Sequence, residues 1–221
     1  MSTILITGAG RGLGYELARQ YATDAWKVIG TVRDAKAKLP GGVERQIADV
    51  TDRKQIAALA RAVRGMPIDV LFCNAGISGK RGMALGSFDY DSWEEVLRVN
   101  LLGAAAVTEA LVPNILAGER KVIAMMSSRL GSIGEASGVT LPYATSKAAL
   151  NMLVKGLAAT LASKGVIVVA LSPGWVRTDM GGASAPLAPE ASVAGLRRLI
   201  AGLKQSDSGR FLSHDGSPIP W

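Results

Sequence analysis

The fold is decided by the stretch Thr7-Gly8-Ala9-Gly10-Arg11-Gly12-Leu13-Gly14, which joins a short apolar run to an amphipathic helical pattern. In a strand–turn–helix unit, Gly8 allows a tight turn, Gly12 lets the backbone approach a ligand, and Gly14 lets the helix pack closely on the strand. The free N–H groups at the start of the helix favour an anion here. Although such turns also carry glycine for structural reasons alone, the position near residue 1 favours a dinucleotide pyrophosphate site.

Short apolar runs alternate with longer helical patterns along the whole chain. This order is typical of βαβ units, in which helices cover both faces of a parallel sheet. We expect an α/β fold with one domain at residues 1–221, a Rossmann-type, doubly wound, mostly parallel sheet of about seven strands, and a substrate-covering segment at about 175–205. The predicted strands are 4–7, 27–32, 43–48, 68–73, 121–126, 166–171 and 210–213, and the predicted helices are 13–23, 53–64, 93–116, 143–162 and 191–203.

Composition excludes several kinds of site. The 221 residues are 48% hydrophobic and 19% charged, which is typical of a globular chain. Cys73 is the one cysteine and His214 the one histidine. We therefore expect no disulfide framework, no zinc or other metal site, and no Ser/His/Asp catalytic triad. We expect Cys73 to be a small buried hydrophobic side chain and His214 to lie at the surface.

The charge balance favours an anionic ligand near the N-terminus. The net charge is +7, and the first 66 residues contain 11 basic and 6 acidic side chains. Scattered basic residues and only 5% aromatic residues argue against nucleic-acid binding. Because the N-terminus does not resemble a signal peptide and the most apolar stretch, 101–116, is interrupted by polar residues, we expect no membrane span and a cytoplasmic protein.

Several motifs follow one another in a recognisable order: Gly8-x3-Gly12-x-Gly14, Cys73-Asn74-Ala75-Gly76, Asn100, Ser128, Tyr143-Ala-Thr-Ser-Lys147 and Pro173-Gly174. This order resembles that of the short-chain dehydrogenases/reductases over nearly the whole chain. Residues 125–133, 173–186 and the final Asp215-Gly-Ser-Pro-Ile-Pro-Trp221 are similar to the C-factor and sniffer-type carbonyl reductase branch. The glycine turn and the resemblance together indicate these cofactor-binding residues: Gly8, Arg11, Gly12, Leu13, Gly14, Arg33, Asp49, Val50, Asn74, Ala75, Gly76, Tyr143, Lys147, Pro173, Gly174, Val176 and Thr178.

Tyr143 and Lys147 are four residues apart, so on a helix they share one face. A lysine cation nearby favours the phenolate and should lower the pKa of the tyrosine from about 10 toward the pH of the cell. Tyr143 is therefore the predicted general acid for carbonyl reduction. The alternative is an ordinary exposed pair at a helix start.

A hydroxyl aimed at the carbonyl oxygen would stabilise the negative charge that develops there during reduction. We assign this role to Ser128, with Ser127 and Ser132 as close competitors. The resemblance also implies that Asn100 holds a water linking Lys147 to solvent.

The residues after the second predicted strand indicate which nicotinamide dinucleotide is used. An acidic side chain there would bind the ribose 2′-hydroxyl, whereas an arginine would pair with a 2′-phosphate. Arg33, together with Arg11, favours the phosphate, and Asp34 stands one place too late to be the ribose acid. Asp49 and Val50 resemble the family's adenine contact. The sequence therefore favours NADP(H) over NAD(H).

We therefore predict an NADP(H)-dependent carbonyl reductase or alcohol dehydrogenase acting on a small-molecule carbonyl or alcohol. The alternative is a non-catalytic, nucleotide-binding signalling protein of the C-factor type, which would have no need of Tyr143. Trp175, Met180 and the loop at 77–85 are candidates for an apolar pocket, and each would equally serve packing. The apolar helices at 101–111 and 148–162 predict a homodimer or homotetramer, as the resemblance also implies.

Overall fold

All seven strands lie in one parallel sheet in the computed structural model, which describes residues 1–80 and 82–221. The strands are β1 (Thr3–Ile6), β2 (Lys27–Val32), β3 (Val43–Ile47), β4 (Val70–Cys73), β5 (Val122–Met126), β6 (Ile167–Ser172) and β7 (Phe211–Ser213). The order across the sheet is β3-β2-β1-β4-β5-β6-β7, and every neighbouring pair is parallel. The predicted α/β class is thereby confirmed.

Helices cover both faces of this sheet. They are α1 (Gly12–Thr23), α2 (Arg53–Ala62), α3 (Tyr90–Leu97), α4 (Ala104–Ala117), α5 (Leu141–Leu161) and α6 (Pro189–Gly202). Because side chains alternate along a strand, Leu5 enters one core with Leu111 of α4, while Ile4 enters the other with Leu17 of α1. Residues of α2, α4 and α5 fill the first core, and residues of α1 and α6 fill the second.

The strand order places a switch point between β1 and β4. The chain moves outward from β1 to β2 and β3 on one side, and from β4 to β7 on the other. Loops that follow these two central strands therefore diverge and leave a crevice at the carboxyl edge of the sheet, where ligands of open α/β sheets bind. The glycine turn follows β1 and Asn74-Ala75-Gly76 follows β4, so two predicted cofactor motifs meet at this crevice.

The predicted helix at 93–116 is helical throughout, but its hydrogen-bond pattern changes from α to π and back to α. A π-helical turn, Arg98–Gly103, separates α3 from α4. Hydrophobic periodicity missed this turn because a π turn keeps the chain helical and changes only the hydrogen-bond spacing.

The same helical run, Tyr90–Ala117, contains an 18-residue window with a mean hydropathy of 1.5, so by length and composition it would be able to cross a membrane. Our expectation of no membrane span is based on the absence of an uninterrupted apolar stretch. By length and mean hydropathy, however, this run meets the criterion for a span. Half of the apolar window is buried in the fold. Val107, Leu111 and Ile115 of this run pack in the core against the sheet, as in the core helix of a globular protein.

Gly14→Ala should destabilise the fold. A β-carbon at Gly14 would lie 2.2 Å from the Gly8 carbonyl oxygen and 2.5 Å from the Asn74 side-chain nitrogen, so the helix would have to move away from the turn. Overpacking of this kind costs roughly 1–3 kcal/mol. Gly202→Ala is the matched control and should change stability little, because no atom of another described segment lies within 4 Å of the β-carbon position of this helical glycine. Urea denaturation of both variants tests this, and equal stabilities would contradict it.

Candidate active site

One side chain ties the two central strand ends together. The Thr7 hydroxyl accepts hydrogen bonds from the backbone N–H groups of Asn74 and Ala75, both at 3.0 Å. The Asn74 side chain donates in return to the carbonyls of Thr7, at 3.0 Å, and Gly8, at 3.2 Å. Thr7 is buried, so these bonds are shielded from water. The glycine turn and the Asn74-Ala75-Gly76 segment therefore form one unit.

The glycine turn has the geometry that its sequence predicts. Gly8 and Gly12 have φ angles of +70° and +54°, which residues other than glycine rarely adopt. Helix α1 begins at Gly12 with no side-chain cap on its N–H groups and no acidic residue in its first turn. These groups therefore remain available to an anion. Thr178 lies across the turn, 3.8 Å from the β-carbon position of Gly12.

The residues predicted to choose the cofactor lie at one edge of this crevice. Arg33 is exposed just after β2, and within the described part of the chain it has neither an ion pair nor a hydrogen bond. The Asp34 carboxylate is occupied by the N–H of Lys36 at 2.8 Å. Arg11 lies 3.5 Å from Asp179, with both side chains largely exposed, so this pair is weak.

Asp49 and Val50 follow β3, as predicted. The Asp49 carboxylate accepts from the Thr51 N–H and hydroxyl at 2.8 and 2.7 Å. Val50 is buried, and its side chain would lie 2.7 Å from a β-carbon at Gly103. Asp49 thus stays at the edge of the crevice, and Val50 packs beneath it.

Asn100 is buried inside the π-helical turn. Its side-chain oxygen accepts from the Ile77 N–H, and its nitrogen donates to the Ile77 carbonyl and the Ser146 hydroxyl, each at 2.9 Å. Asn100 thereby fixes the segment after Gly76 to α5. The amide nitrogen has used both of its hydrogens, so any water beside it would bind to the oxygen or to the backbone.

Lys147 is buried, and its ammonium group donates to the Met126 carbonyl at 2.7 Å. Burial lowers the pKa of Lys147 to about 8. The lysine nitrogen lies 5.5 Å from the centre of the Tyr143 ring, so the predicted common face is present.

Tyr143 differs from our expectation in its ionisation. Burial raises the pKa of Tyr143 to about 12, although a hydrogen bond with the Ser128 side chain lowers the pKa in part. The expected depression of the pKa by Lys147 is absent because the lysine amine points at Met126 and does not reach the phenol. Tyr143 is therefore held in its protonated form.

The structure brings Ser128, and neither competing serine, to Tyr143. Ser127 donates to Asn151 at 2.6 Å, and Ser132 accepts from the Glu135 N–H at 3.1 Å. Ser128 ends β5 and caps the short 3₁₀ turn Arg129–Gly131. That turn is pressed against α5, because a β-carbon at Gly131 would lie 2.7 Å from the Lys147 β-carbon. This close packing sets the distance between Ser128 and Tyr143.

The segment after β6 closes the crevice from the other side. The Pro173 carbonyl accepts a hydrogen bond from the Ser192 hydroxyl at 2.6 Å. Gly174 follows with a φ angle of +79°. Val176 is buried and forms a β-bridge with Leu187. Thr178 accepts from the Gly181 N–H at 3.1 Å. The covering segment predicted at 175–205 contains this loop, followed by α6, whose buried face belongs to the core.

The predicted substrate-pocket residues are mostly exposed. Trp175 is 58% and Met180 39% exposed, and the Trp175 indole donates to the Gly181 carbonyl. The loop at 77–85 includes residue 81, which lies outside the described residues. An open groove of about 590 Å³ lies between α2 and α4 and is lined by none of the predicted site residues.

Sequence reasoning missed some residues and misplaced one. Thr7 and Ser146 support the site through buried hydrogen bonds, and only their positions beside the glycine turn and Tyr143 mark them in the sequence. His214 is half-buried, with its ring 3.2 Å from the β-carbon position of Gly174, so the surface assignment is wrong. Cys73 is buried beside Thr108, and burial raises its pKa to about 11, as fits an unreactive thiol.

Comparison with known proteins agrees with this geometry. A family model described as short chain dehydrogenase matches residues 2–186. The C-signal protein of Myxococcus xanthus is 42% identical over 165 residues, which cover 74% of this chain and 99% of that protein.

Two solved structures match the whole fold. The carbonyl reductase Sniffer of D. melanogaster has a TM-score of 0.91 and 29% identity, with all of both chains covered. A short-chain dehydrogenase/reductase from Burkholderia multivorans, solved with bound NADP, has a TM-score of 0.90 and 32% identity, covering 100% of this chain and 99% of that one.

The buried Lys147 makes stability depend on pH. The unfolded chain keeps a proton on this lysine up to about pH 10.5, whereas the folded chain releases it near pH 8. Between these values the unfolded state binds more protons, so stability rises with pH. From pH 8 to 10, the free energy of unfolding should rise by roughly 2 kcal/mol more in the wild type than in Lys147→Met.

Denaturation of both proteins without cofactor measures this difference. Cys73 and Tyr143, whose raised pKa values act in the opposite direction, are present in both proteins and cancel. Parallel pH profiles would contradict the prediction.

Proposed function

Because the chain belongs to the short-chain dehydrogenase family, we propose that it transfers hydride between NADP(H) and a carbonyl or alcohol substrate, with Tyr143 as the general acid and base. The observation that carries this proposal is the convergence of Ser128, Tyr143 and Lys147 beside the crevice. A module that only binds nucleotide needs neither a buried lysine nor a protonated phenol at this place.

The residues present fit a dinucleotide. The uncapped start of α1 offers backbone N–H groups to a pyrophosphate. Among the described residues, only Thr178 comes within 4 Å of the β-carbon position of Gly12. Gly8, Gly12, Asn74 and Thr178 would surround the phosphates, and Lys147 would face the nicotinamide ribose. When bound, the cofactor supplies or accepts the hydride.

In the direction of reduction, the phenol of Tyr143 donates its proton to the substrate oxygen. A pKa of about 12 keeps this proton in place across the pH range of the cell. The Ser128 hydroxyl, which interacts with the phenol and lowers its pKa in part, would donate to the same oxygen as negative charge develops on it. Lys147, with its nitrogen 5.5 Å from the centre of the Tyr143 ring, supplies positive charge to the site when its amine is protonated, which a pKa of about 8 allows at neutral pH.

A water beside Gly76 would return the proton to the site. The β-carbon position of Gly76 lies 3.2 Å from the Asn100 side-chain oxygen and 3.6 Å from the Lys147 nitrogen. Both polar atoms therefore lie close to Gly76, which supports the proposed link from Asn100 through water to Lys147.

Arg33 supports NADP(H) over NAD(H). Its exposed guanidinium, just after β2, has no ion pair or hydrogen bond among residues 1–80 and 82–221, so it is free to pair with a 2′-phosphate. One oxygen of the Asp34 carboxylate accepts the Lys36 N–H at 2.8 Å, and Asp34 stands one place too late to be the ribose acid. The Burkholderia multivorans relative holds NADP.

A signalling role without turnover is the second candidate, and the C-signal protein of Myxococcus xanthus favours it. The two hypotheses differ in whether the protein needs the Tyr143 hydroxyl for its function. For either reading we propose a cytoplasmic protein that binds no nucleic acid and assembles with copies of itself.

Tyr143→Phe should abolish most turnover and leave cofactor binding intact. The substitution removes only the hydroxyl, and general acid catalysis contributes typically 10²–10⁴-fold. The test is NADPH oxidation with a carbonyl found by screening a panel, together with NADPH binding by fluorescence. Ser128→Ala should also lower turnover, whereas Ser127→Ala, the matched control, should affect it far less. Turnover of Tyr143→Phe within a few-fold of wild type would make the signalling reading the leading one.

Arg33→Ala should remove the preference for NADPH. The wild type should bind NADPH more tightly than NADH, and the variant should bind the two about equally because the ion pair with the 2′-phosphate is lost. The preference of the wild type should also weaken as salt is added. Titration of both cofactors against both proteins measures this, with Lys36→Ala as a neighbouring-charge control. Equal affinities in the wild type would contradict the prediction.

The protein should form a homodimer or homotetramer. Leu102 and Met152, near the start of α4 and on α5, are 51% and 71% exposed, so both predicted contact helices present apolar side chains to solvent. Light scattering at micromolar concentration should give a mass that is a multiple of the 23.0 kDa chain. A mass of one chain would contradict this expectation.

A further inference from the structure

The loop at 133–140, between Ser128 and Tyr143, makes few contacts with the rest of the protein. Residues 133–140 are all exposed and follow the 3₁₀ turn that Ser128 caps, and α5 begins at Leu141, two residues before Tyr143. Ile133 and Val139 on this loop are 74% and 53% exposed. The loop therefore borders the opening through which a substrate would reach Tyr143.

One hydrogen bond ties this loop to a distant segment within the described residues. The Gly134 N–H donates to the Trp221 carbonyl at 2.8 Å. The other bonds of the loop, such as that from Glu135 to Ser132 and the pair of Glu135 with Arg129, stay within the loop and its flanks. The β-carbon position of Gly134 also lies 3.3 Å from the Trp221 oxygen and 3.6 Å from Pro220, so the contact is close.

Trp221 is itself held from two sides. Its ring stacks on Phe211 of β7, with centroids 5.7 Å apart, and Lys155 of α5 lies 5.2 Å over the ring. Ile219 next to it is buried and donates its N–H to the Phe211 carbonyl at 2.9 Å. The carbonyl of Trp221 is thus a fixed point, and it is fixed to the same helix that carries Tyr143 and Lys147.

We propose that Trp221 is a positioning residue of the active site, which holds the loop at 133–140 in the conformation that accepts substrate. This proposal rests on the proposed function, because the loop matters only where a substrate enters between Ser128 and Tyr143. It also gives a role to the final motif of the chain, which the catalytic groups leave unexplained. Trp221 acts through the loop and does not touch the reacting atoms.

Trp221→Ala tests the proposal, because it removes the ring that fixes the carbonyl. The KM for the carbonyl should rise about tenfold, while kcat changes less than about threefold and NADPH affinity is retained, since a mobile loop weakens substrate positioning and leaves the acid in place. Trp221→Phe keeps a stacking ring and should stay near wild type. Ser137→Ala, on the same loop and away from the tether, is the control for loop composition.

Hydrogen exchange supplies a readout besides activity. In Trp221→Ala, peptides covering residues 132–141 should exchange faster, whereas peptides of α5 and β5 should not. If Trp221→Ala does not fold, Gly134→Ala serves instead, because its β-carbon would crowd the Trp221 oxygen from an exposed position. Both variants should raise KM and loosen the same peptides.

Unchanged KM in a folded variant whose loop exchanges faster would overturn the proposal, and so would unchanged exchange of the loop. A loss of melting temperature and kcat with KM unchanged would mark a merely structural role and overturn it as well. If the wild type reduces no carbonyl, the proposed function fails; hydrogen exchange alone then decides whether Trp221 holds the loop.

Discussion

The hydrogen bonds of the Thr7 hydroxyl to the N–H groups of Asn74 and Ala75 are the constraint on which the rest of the site depends. Neighbouring parallel strands can end at slightly different heights, and nothing in a sheet ladder fixes the loops beyond them. One buried threonine sets that height for β1 and β4 and brings the glycine turn against Ala75. Asn100 then fixes Ile77, two residues further on, to α5. The crevice is thus built from short polar contacts between loops that the sheet alone would leave free.

Burial gives the proposed acid and its lysine opposite changes in pKa. The pKa of Tyr143 is raised and that of Lys147 is lowered, because burial disfavours the charged form of each. Both groups are therefore easier to keep neutral than their free counterparts. A negative charge that develops on a substrate oxygen would favour the protonated lysine, so the charge state of Lys147 is set by what occupies the crevice.

Much of the fold and of the candidate site could be predicted from local patterns. Alternating apolar strands identify the sheet, and the positive φ of Gly8 and Gly12 is implied by their place between strand and helix. The π turn, the route of the Lys147 amine to Met126 and the half-burial of His214 could not be predicted, because each depends on contacts between distant segments. The sequence favours Ser128 over Ser127 and Ser132, and the packing of Gly131 on α5 is the long-range contact that brings Ser128 to Tyr143.

The π-helical turn at Arg98–Gly103 is equivalent to one residue inserted into an otherwise regular helix. Each residue of an α-helix advances by about 100° around the axis, so the turn rotates all of α4 relative to α3. Removing one residue here would restore an unbroken α-helix and rotate α4 by about 100° relative to α3. Val96 of α3 and Val107 of α4 could then no longer both face the interior with Asn100 pointing at Ile77. The length of this helix, and not only its composition, is therefore fixed by the site.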